Sequence, residues 1–316
     1  MRTILITGAA GQIGSELTIA LGRRFANADV LATDIRPPER AEFPENVRFE
    51  LLDVMEVEQL ERQVVAHKVS TLYHMAAMLS ATAERLPAEA WALNTTSLLN
   101  VLNLARAGVL ESVFWPSSIA VFGPHTPKVD TPQYSITDPT TVYGIGKLAG
   151  ERWCAYYAER FRVDVRSLRY PGIISWKTQP GGGTTDYAVE IFHKALACHR
   201  YDCFIGEEVA LPMLYMPDAI EATLRLMEAP AENLSPGLSY NLGGLSFSPS
   251  ELGAAIKVVL PDFVLRCKPD FRDAIARSWP SRIDDTAARR NWSWTPRYEL
   301  ADIVRDMLAN LSRSSV

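Results

Sequence analysis

The run Thr7-Gly8-Ala9-Ala10-Gly11-Gln12-Ile13-Gly14 constrains the fold more than any other stretch of this chain. A short β-prone segment, Thr3–Thr7, precedes it, and a helical pattern over residues 13–25 follows. A strand that feeds a helix through three glycines must turn sharply and let its backbone approach a ligand closely. Free N–H groups and the positive end of the helix dipole at such a start suit a pyrophosphate. Gly8, Gly11, Gln12, Ile13 and Gly14 are therefore expected to hold a dinucleotide. Glycine triplets also occur in ordinary turns; the strand before and the helix after carry the inference.

Short apolar runs recur at residues 30–33, 47–51, 71–74 and 112–115, with helix-length segments at 55–67 and 84–107 between them. Such alternation predicts an α/β chain with a Rossmann-type doubly wound parallel sheet. A long helix is expected over residues 141–161, and a strand over 163–168. After Tyr170 the texture becomes irregular, with glycines at 181–183 and short helices near 186–197, 217–228, 249–259 and 300–311. The expected domains are an NAD-binding Rossmann domain at 1–172 and a smaller C-terminal α/β substrate lobe at 173–316. Some later segments are expected to return to the Rossmann core.

Ligands of doubly wound sheets collect at successive strand ends. Asp34 follows the second strand, twenty residues after Gly14. A carboxylate there accepts from ribose hydroxyls and repels a 2′-phosphate, which favours NAD over NADP. Ile35 and Arg36 flank it, and the Arg36 guanidinium could accommodate that phosphate. Asp53 and Val54 follow the third strand, and Met75, Ala76 and Ala77 the fourth. All are candidate cofactor contacts.

Tyr143 and Lys147 lie four residues apart on the long expected helix, so they share a face. Of the eleven tyrosines, only Tyr143 has a lysine four positions on. A neighbouring ammonium is expected to lower the phenol's pKa from ~10 and make it a usable base. Both residues are also candidate cofactor contacts. Ser118, twenty-five residues earlier, could hold a substrate oxygen beside the phenol. Ser117 is the competing candidate. Ser118, Tyr143 and Lys147 are the expected catalytic residues.

These motifs, together with Ser117-Ser118-Ile119-Ala120-Val121-Phe122-Gly123, Tyr143-Gly144-Ile145-Gly146-Lys147 and Arg169-Tyr170-Pro171-Gly172, resemble the extended short-chain dehydrogenase/reductases. The resemblance makes Tyr170, Gly172 and Ile173 cofactor contacts too. Asn94 resembles that superfamily's structural asparagine and is grouped with the cofactor site. More narrowly, Met78-Leu79-Ser80-Ala81, the run 180–188 and Trp279-Pro280-Ser281-Arg282-Ile283-Asp284-Asp285 resemble the epimerase-like L-threonine 3-dehydrogenases. That likeness implies oxidation of the β-hydroxyl of L-threonine, or of a related β-hydroxy amino acid, to 2-amino-3-oxobutyrate. It implies a substrate site of Ser80, Ser118, Tyr143, Thr185, Asp186 and Trp279, with the glycines before Thr184 closing as a lid, and a homodimer through helices near 91–107 and 143–161. Phe122 stands where many relatives carry tyrosine. The alternatives are an NDP-sugar epimerase or dehydratase, whose diphosphate Arg282 and Arg289 could bind, and a non-catalytic dinucleotide-sensing protein.

Composition narrows the rest. A formal net charge of -5 over 316 residues argues against a nucleic-acid partner. No apolar run approaches the ~18–20 residues that span a bilayer, so no membrane partner is expected. The opening ten residues read as a core strand rather than an export signal, and the cytoplasm is the expected compartment. Cys154, Cys198, Cys203 and Cys267 form no CxxC pair. Cys198-His199 with Cys203 matches no familiar zinc spacing, so no metal is expected.

Overall fold

The computed structural model describes residues 2–38, 43–179, 181 and 183–314. Strand β1 (Thr3–Thr7) is buried along its whole length, as a central parallel strand covered on both faces must be. Helix α1 (Gln12–Arg24) follows, then β2 (Asp29–Asp34), β3 (Val47–Leu51), α2 (Val57–Ala66) and β4 (Val69–His74). The β1–β2, β1–β4, β2–β3 and β4–β5 pairings, with β5 spanning Ser112–Ser118, are all parallel. With β6 (Asp164–Tyr170) and the strand Ser239–Asn241 they make a seven-stranded sheet. Its order is Ser239–Asn241, β6, β5, β4, β1, β2, β3. Strand order reverses between β1 and β4, the crevice where doubly wound sheets bind ligands. The Rossmann-type architecture expected from the sequence is the observed one.

The single helix expected over 84–107 is instead four pieces: α3 (Ser80–Arg85), α4 (Pro87–Trp91), a π-helical turn (Ala92–Thr96) and α5 (Ser97–Arg106). Pro87 explains the first break. Its ring excludes the helical conformation from Leu86, which sits at φ -131° and ψ 64°, while Pro87 itself opens α4. Helix α6 (Val142–Phe161) starts on a cap, the Thr141 hydroxyl accepting from the Gly144 N–H at 3.1 Å.

The chain forms two compact units, each built from three segments. The first comprises Met1–Ser118, Thr141–Arg169 and Ile220–Tyr240. Its core includes Leu5, Leu31, Leu72, Leu98, Val113 and Trp115. Arg166 ties the late segment back to the sheet: Nη1 donates to the carbonyls of Leu226 (2.8 Å), Met227 (3.1 Å) and Ala229 (2.7 Å). Those groups end a helix and would otherwise lack partners.

The second unit comprises Ile119–Thr140, Tyr170–Ala219 and Asn241–Val316. Leu211–Tyr215 pairs parallel with Gly172–Ile174 and antiparallel with Leu245–Phe247. Arg200–Cys203 pairs parallel with Val264–Cys267. Its helices include Tyr187–Cys198, Pro249–Val259 and Leu300–Ser314. Among the described residues, no helix is long and apolar enough to cross a membrane.

Candidate active site

The glycine turn is shaped for close approach. Gly8 sits at φ +69°, and a Cβ there would lie 2.6 Å from the Ala76 nitrogen. A Cβ on Gly14 would lie 2.0 Å from the Gly8 carbonyl oxygen, so this glycine lets α1 pack onto the turn. Gly11 occupies the N-cap of α1 with no side-chain cap, and no acidic residue stands in the first turn. Gln12 and Ile13 open the helix. The dipole end is thus left for an external anion. Asp34 braces the same turn, Oδ2 accepting from the Ala10 N–H at 3.0 Å and Oδ1 from the Arg36 N–H at 3.3 Å. Ile35 and Arg36 are exposed beside it. Glycines that a side chain would displace, an uncapped helix start and a carboxylate at the β2 end together fit a dinucleotide.

Asp53 is exposed after β3, accepting from the Met55 N–H at 2.9 Å, and Val54 is buried beneath it. Met75, Ala76 and Ala77 leave β4 partly exposed, and Ala76 is the residue that faces Gly8. Asn94, on the π-helical turn, clamps the Met78 peptide: its amide oxygen accepts from the Met78 N–H (2.8 Å) and its amide nitrogen donates to the Met78 carbonyl (3.0 Å). The side chain therefore holds the loop that leads to Ser80, the first residue of α3.

Ser118, at the end of β5, hydrogen-bonds to the Tyr143 phenol, which stabilises the phenolate. Its neighbour Ser117 is buried and donates to Glu151 Oε1 at 2.6 Å. Of the two serines, Ser118 is the one beside the tyrosine. Lys147 is 3% exposed; its Nζ donates to the Pro116 carbonyl at 2.5 Å and lies 4.6 Å from the Trp115 ring and 5.4 Å from the Tyr143 ring. Trp115 reaches α6 because Gly150 faces it; a Cβ there would meet the indole at 2.3 Å.

One expectation needs correcting. The ammonium was to acidify the phenol, yet burial pushes Tyr143 up to about 12, and the Ser118 hydrogen bond only partly offsets it. Burial also pulls Lys147 down to about 7. Lys147 stands over the ring face rather than at the hydroxyl, so desolvation outweighs charge attraction.

His74 is a residue the sequence did not single out. It is fully buried at the β4 end, bonded to Thr7 Oγ1 through Nδ1 (2.9 Å) and to Ser97 Oγ through Nε2 (2.9 Å). Burial, aided by the charge of Lys147, drives it down to about 3, so it stays neutral. It links the residue before Gly8 to α5 and lies within electrostatic reach of Lys147. A histidine in an otherwise apolar strand run was its only sequence signal.

In the second unit, Tyr170 is buried, Gly172 opens its strand and Ile173 is part-exposed. Thr185 packs on Gly172: a Cβ on that glycine would lie 2.8 Å from the threonine Cβ. Asp186 begins the helix Tyr187–Cys198, accepting from the Gly183 N–H at 2.8 Å. Pro180 and Gly182, part of the expected lid, lie outside the described residues. Trp279 is buried on a loop that Lys128 secures, Nζ donating to the carbonyls of Gly123 and Ser278. Arg282 and Arg289, the alternative diphosphate ligands, are each engaged by a carboxylate, Asp130 and Asp285. Cys198 is exposed and Cys203 buried, and no group of three metal-ligating side chains gathers among the described residues.

Comparison with known proteins places this arrangement. A solved GalE-like L-threonine dehydrogenase from Cupriavidus necator, in its holo form, is 54% identical, with a TM-score of 0.94 over 98% of this chain and 99% of that one. A solved monomeric L-threonine 3-dehydrogenase from a metagenome is 43% identical, with a TM-score of 0.93 over 99% and 100% of the two chains. An uncharacterized epimerase/dehydratase from Staphylococcus haemolyticus is 48% identical over 309 residues, 98% of this chain and 97% of that protein. Residues 4–243 match the NAD dependent epimerase/dehydratase family. The chain belongs to that family, and its cofactor is NAD.

Proposed function

We propose that the chain is an L-threonine 3-dehydrogenase, oxidising the β-hydroxyl of L-threonine to 2-amino-3-oxobutyrate. The observation that carries the reading is the 54% identity, across almost the whole chain, to a protein named for that activity. The Ser118–Tyr143–Lys147 arrangement supports it chemically.

NAD, when bound, supplies the acceptor for the hydrogen that leaves carbon with its electron pair. The Tyr143 phenolate oxygen takes the hydroxyl proton, and Ser118 holds the substrate oxygen in line with it. Protonated Lys147, under the ring, favours the phenolate in a site whose burial works against it. The relay calls for no metal. Ser80, Thr185, Asp186 and Trp279 are proposed to bind the amino acid, with Asp186 drawing its ammonium. A second copy is proposed to cover the exposed Trp91, Trp153 and Tyr156 of α4 and α6 in a cytoplasmic homodimer. Light scattering tests this, since one relative is described as monomeric.

The deciding assay follows NADH at 340 nm across β-hydroxy amino acids and nucleotide sugars. L-Threonine should give the highest kcat/KM, and Tyr143→Phe should lower it by about 100-fold or more. Turnover of a nucleotide sugar without threonine activity would overturn the substrate, and undiminished activity in Tyr143→Phe would overturn the relay.

A further inference from the structure

Behind the catalytic serine and lysine lies a buried ion pair. Arg169 grips Glu151 with both arms of its guanidinium, Nε to Oε1 at 2.8 Å and Nη2 to Oε2 at 2.7 Å. The Ser117 hydroxyl donates to the same Oε1 at 2.6 Å. Glu151, Arg169 and Ser117 are 6%, 7% and 2% exposed. A buried pair of this kind can usually be replaced by apolar side chains of similar volume without loss of stability. Its place in the site is what singles it out. Glu151 lies one helical turn beyond Lys147 on α6, and Ser117 is the residue before Ser118.

Among the described residues, no carboxylate touches Lys147. Its hydrogen-bond partner is the Pro116 carbonyl, and two ring faces cover it. The titratable groups facing it are Tyr143, Glu151 and Cys154 of α6 and His74 of β4, with Arg169 behind Glu151. Burial keeps the Cys154 thiol and the His74 ring uncharged at neutral pH. On the helices packed against α6, Glu84 accepts from the Val142 N–H at its start, Arg106 lies over Phe161 at its end, and Arg85 and Glu89 are exposed. Among the described residues, Glu151 is thus the one anion acting on Lys147 from within this buried cluster.

We propose that Glu151 is a positioning residue for the proton relay: clamped by Arg169 and Ser117, its carboxylate holds Lys147 protonated beneath Tyr143 and anchors the strand end that presents Ser118. The proposal rests on reading Tyr143 and Lys147 as that relay. It makes a signed prediction. Removing the anion leaves an uncompensated Arg169 cation beside Lys147 and disfavours the ammonium, whereas removing the Arg169 cation does the reverse.

The test is 15N NMR titration of the lysine Nζ groups in cofactor-free protein, with the Lys147 signal assigned from Lys147→Met. In the wild type Lys147 should titrate near 7, as burial dictates. Glu151→Gln should lower that midpoint by about one pH unit and Arg169→Gln should raise it by about as much. The Glu151→Met/Arg169→Met double variant, which keeps the volume and removes both charges, should return it to within a few tenths of a unit of wild type. Both limbs of the pH profile of kcat/KM should follow the same directions in the active enzyme. Should Glu151→Gln fail to fold by circular dichroism, Arg169→Gln and the double variant decide. Midpoints that stay put, or that move the same way in both single variants, overturn the proposal. The titration is independent of substrate: opposed shifts in a protein inactive on threonine would support the role of Glu151 while refuting the proposed function.

Discussion

At the scale of single residues, Asp34 carries two tasks that its position at the end of β2 imposes. Its carboxylate braces the glycine turn through Ala10, and we propose that it also accepts from the adenosine ribose. Asp34→Asn removes the charge and keeps the shape. It should lower the preference for NAD over NADP, as a ratio of kcat/KM values, by about tenfold or more, the worth of one charge-assisted hydrogen bond. An unchanged ratio in steady-state assays with both cofactors would refute the role. Asp34, Tyr143, Lys147 and Ser118 were legible because each stands at a fixed offset from a strand end or a helical neighbour. The acidity of the phenol was not, because desolvation depends on what the chain packs around Tyr143. Trp115 reaches Lys147, and Arg169 reaches Glu151 one turn beyond it, from other elements of the chain, and spacing carries no trace of either contact.

At the scale of elements, the β1–α1 turn depends on two backbones passing closely. Gly8 combines a left-handed φ of +69° with a 2.6 Å approach to the Ala76 nitrogen, which a methyl group would collide with. Gly8→Ala should therefore destabilise the chain by at least ~1–2 kcal/mol from the backbone alone, and the clash adds to that. Urea denaturation measures the loss, and fluorescence titration with NADH should show weaker binding. Full stability and affinity in this variant would mean that the turn relaxes freely. Strands β1, β2 and β4 could be read within a few residues of their ends, because burial on both faces leaves nearly continuous apolar runs. The segment from Ser80 to Arg106 could not. Its helical pattern is continuous, but Pro87 breaks it and the π-helical turn at Ala92–Thr96 inserts itself where Asn94 reaches Met78. Such widened turns often mark functional sites.

At the scale of the molecule, pH couples to stability through His74. Its pKa falls from 6.5 unfolded to about 3 folded, so between those values the unfolded chain binds a proton that the folded one does not. Stability from this group is fully present above about 6.5 and declines as pH falls, by about 1.4 kcal/mol per unit. Urea denaturation at pH 7, 6 and 5 should give a steeper acid loss for wild type than for His74→Asn; equal slopes would refute it. The sheet order was implicit in the sequence, since strand–helix alternation around a glycine turn restricts the connections. Ile220–Tyr240 groups with the first unit, where Arg166 reaches the carbonyls of Leu226 and Ala229, a contact across some sixty residues that no local pattern announces. The chain passes between its two units at five junctions, after Ser118, Thr140, Arg169, Ala219 and Tyr240. A single genetic crossover anywhere between the first and last of these would splice foreign sequence into both units together. Descendants of such a gene are therefore better placed to acquire new substrates through individual substitutions than by trading whole modules.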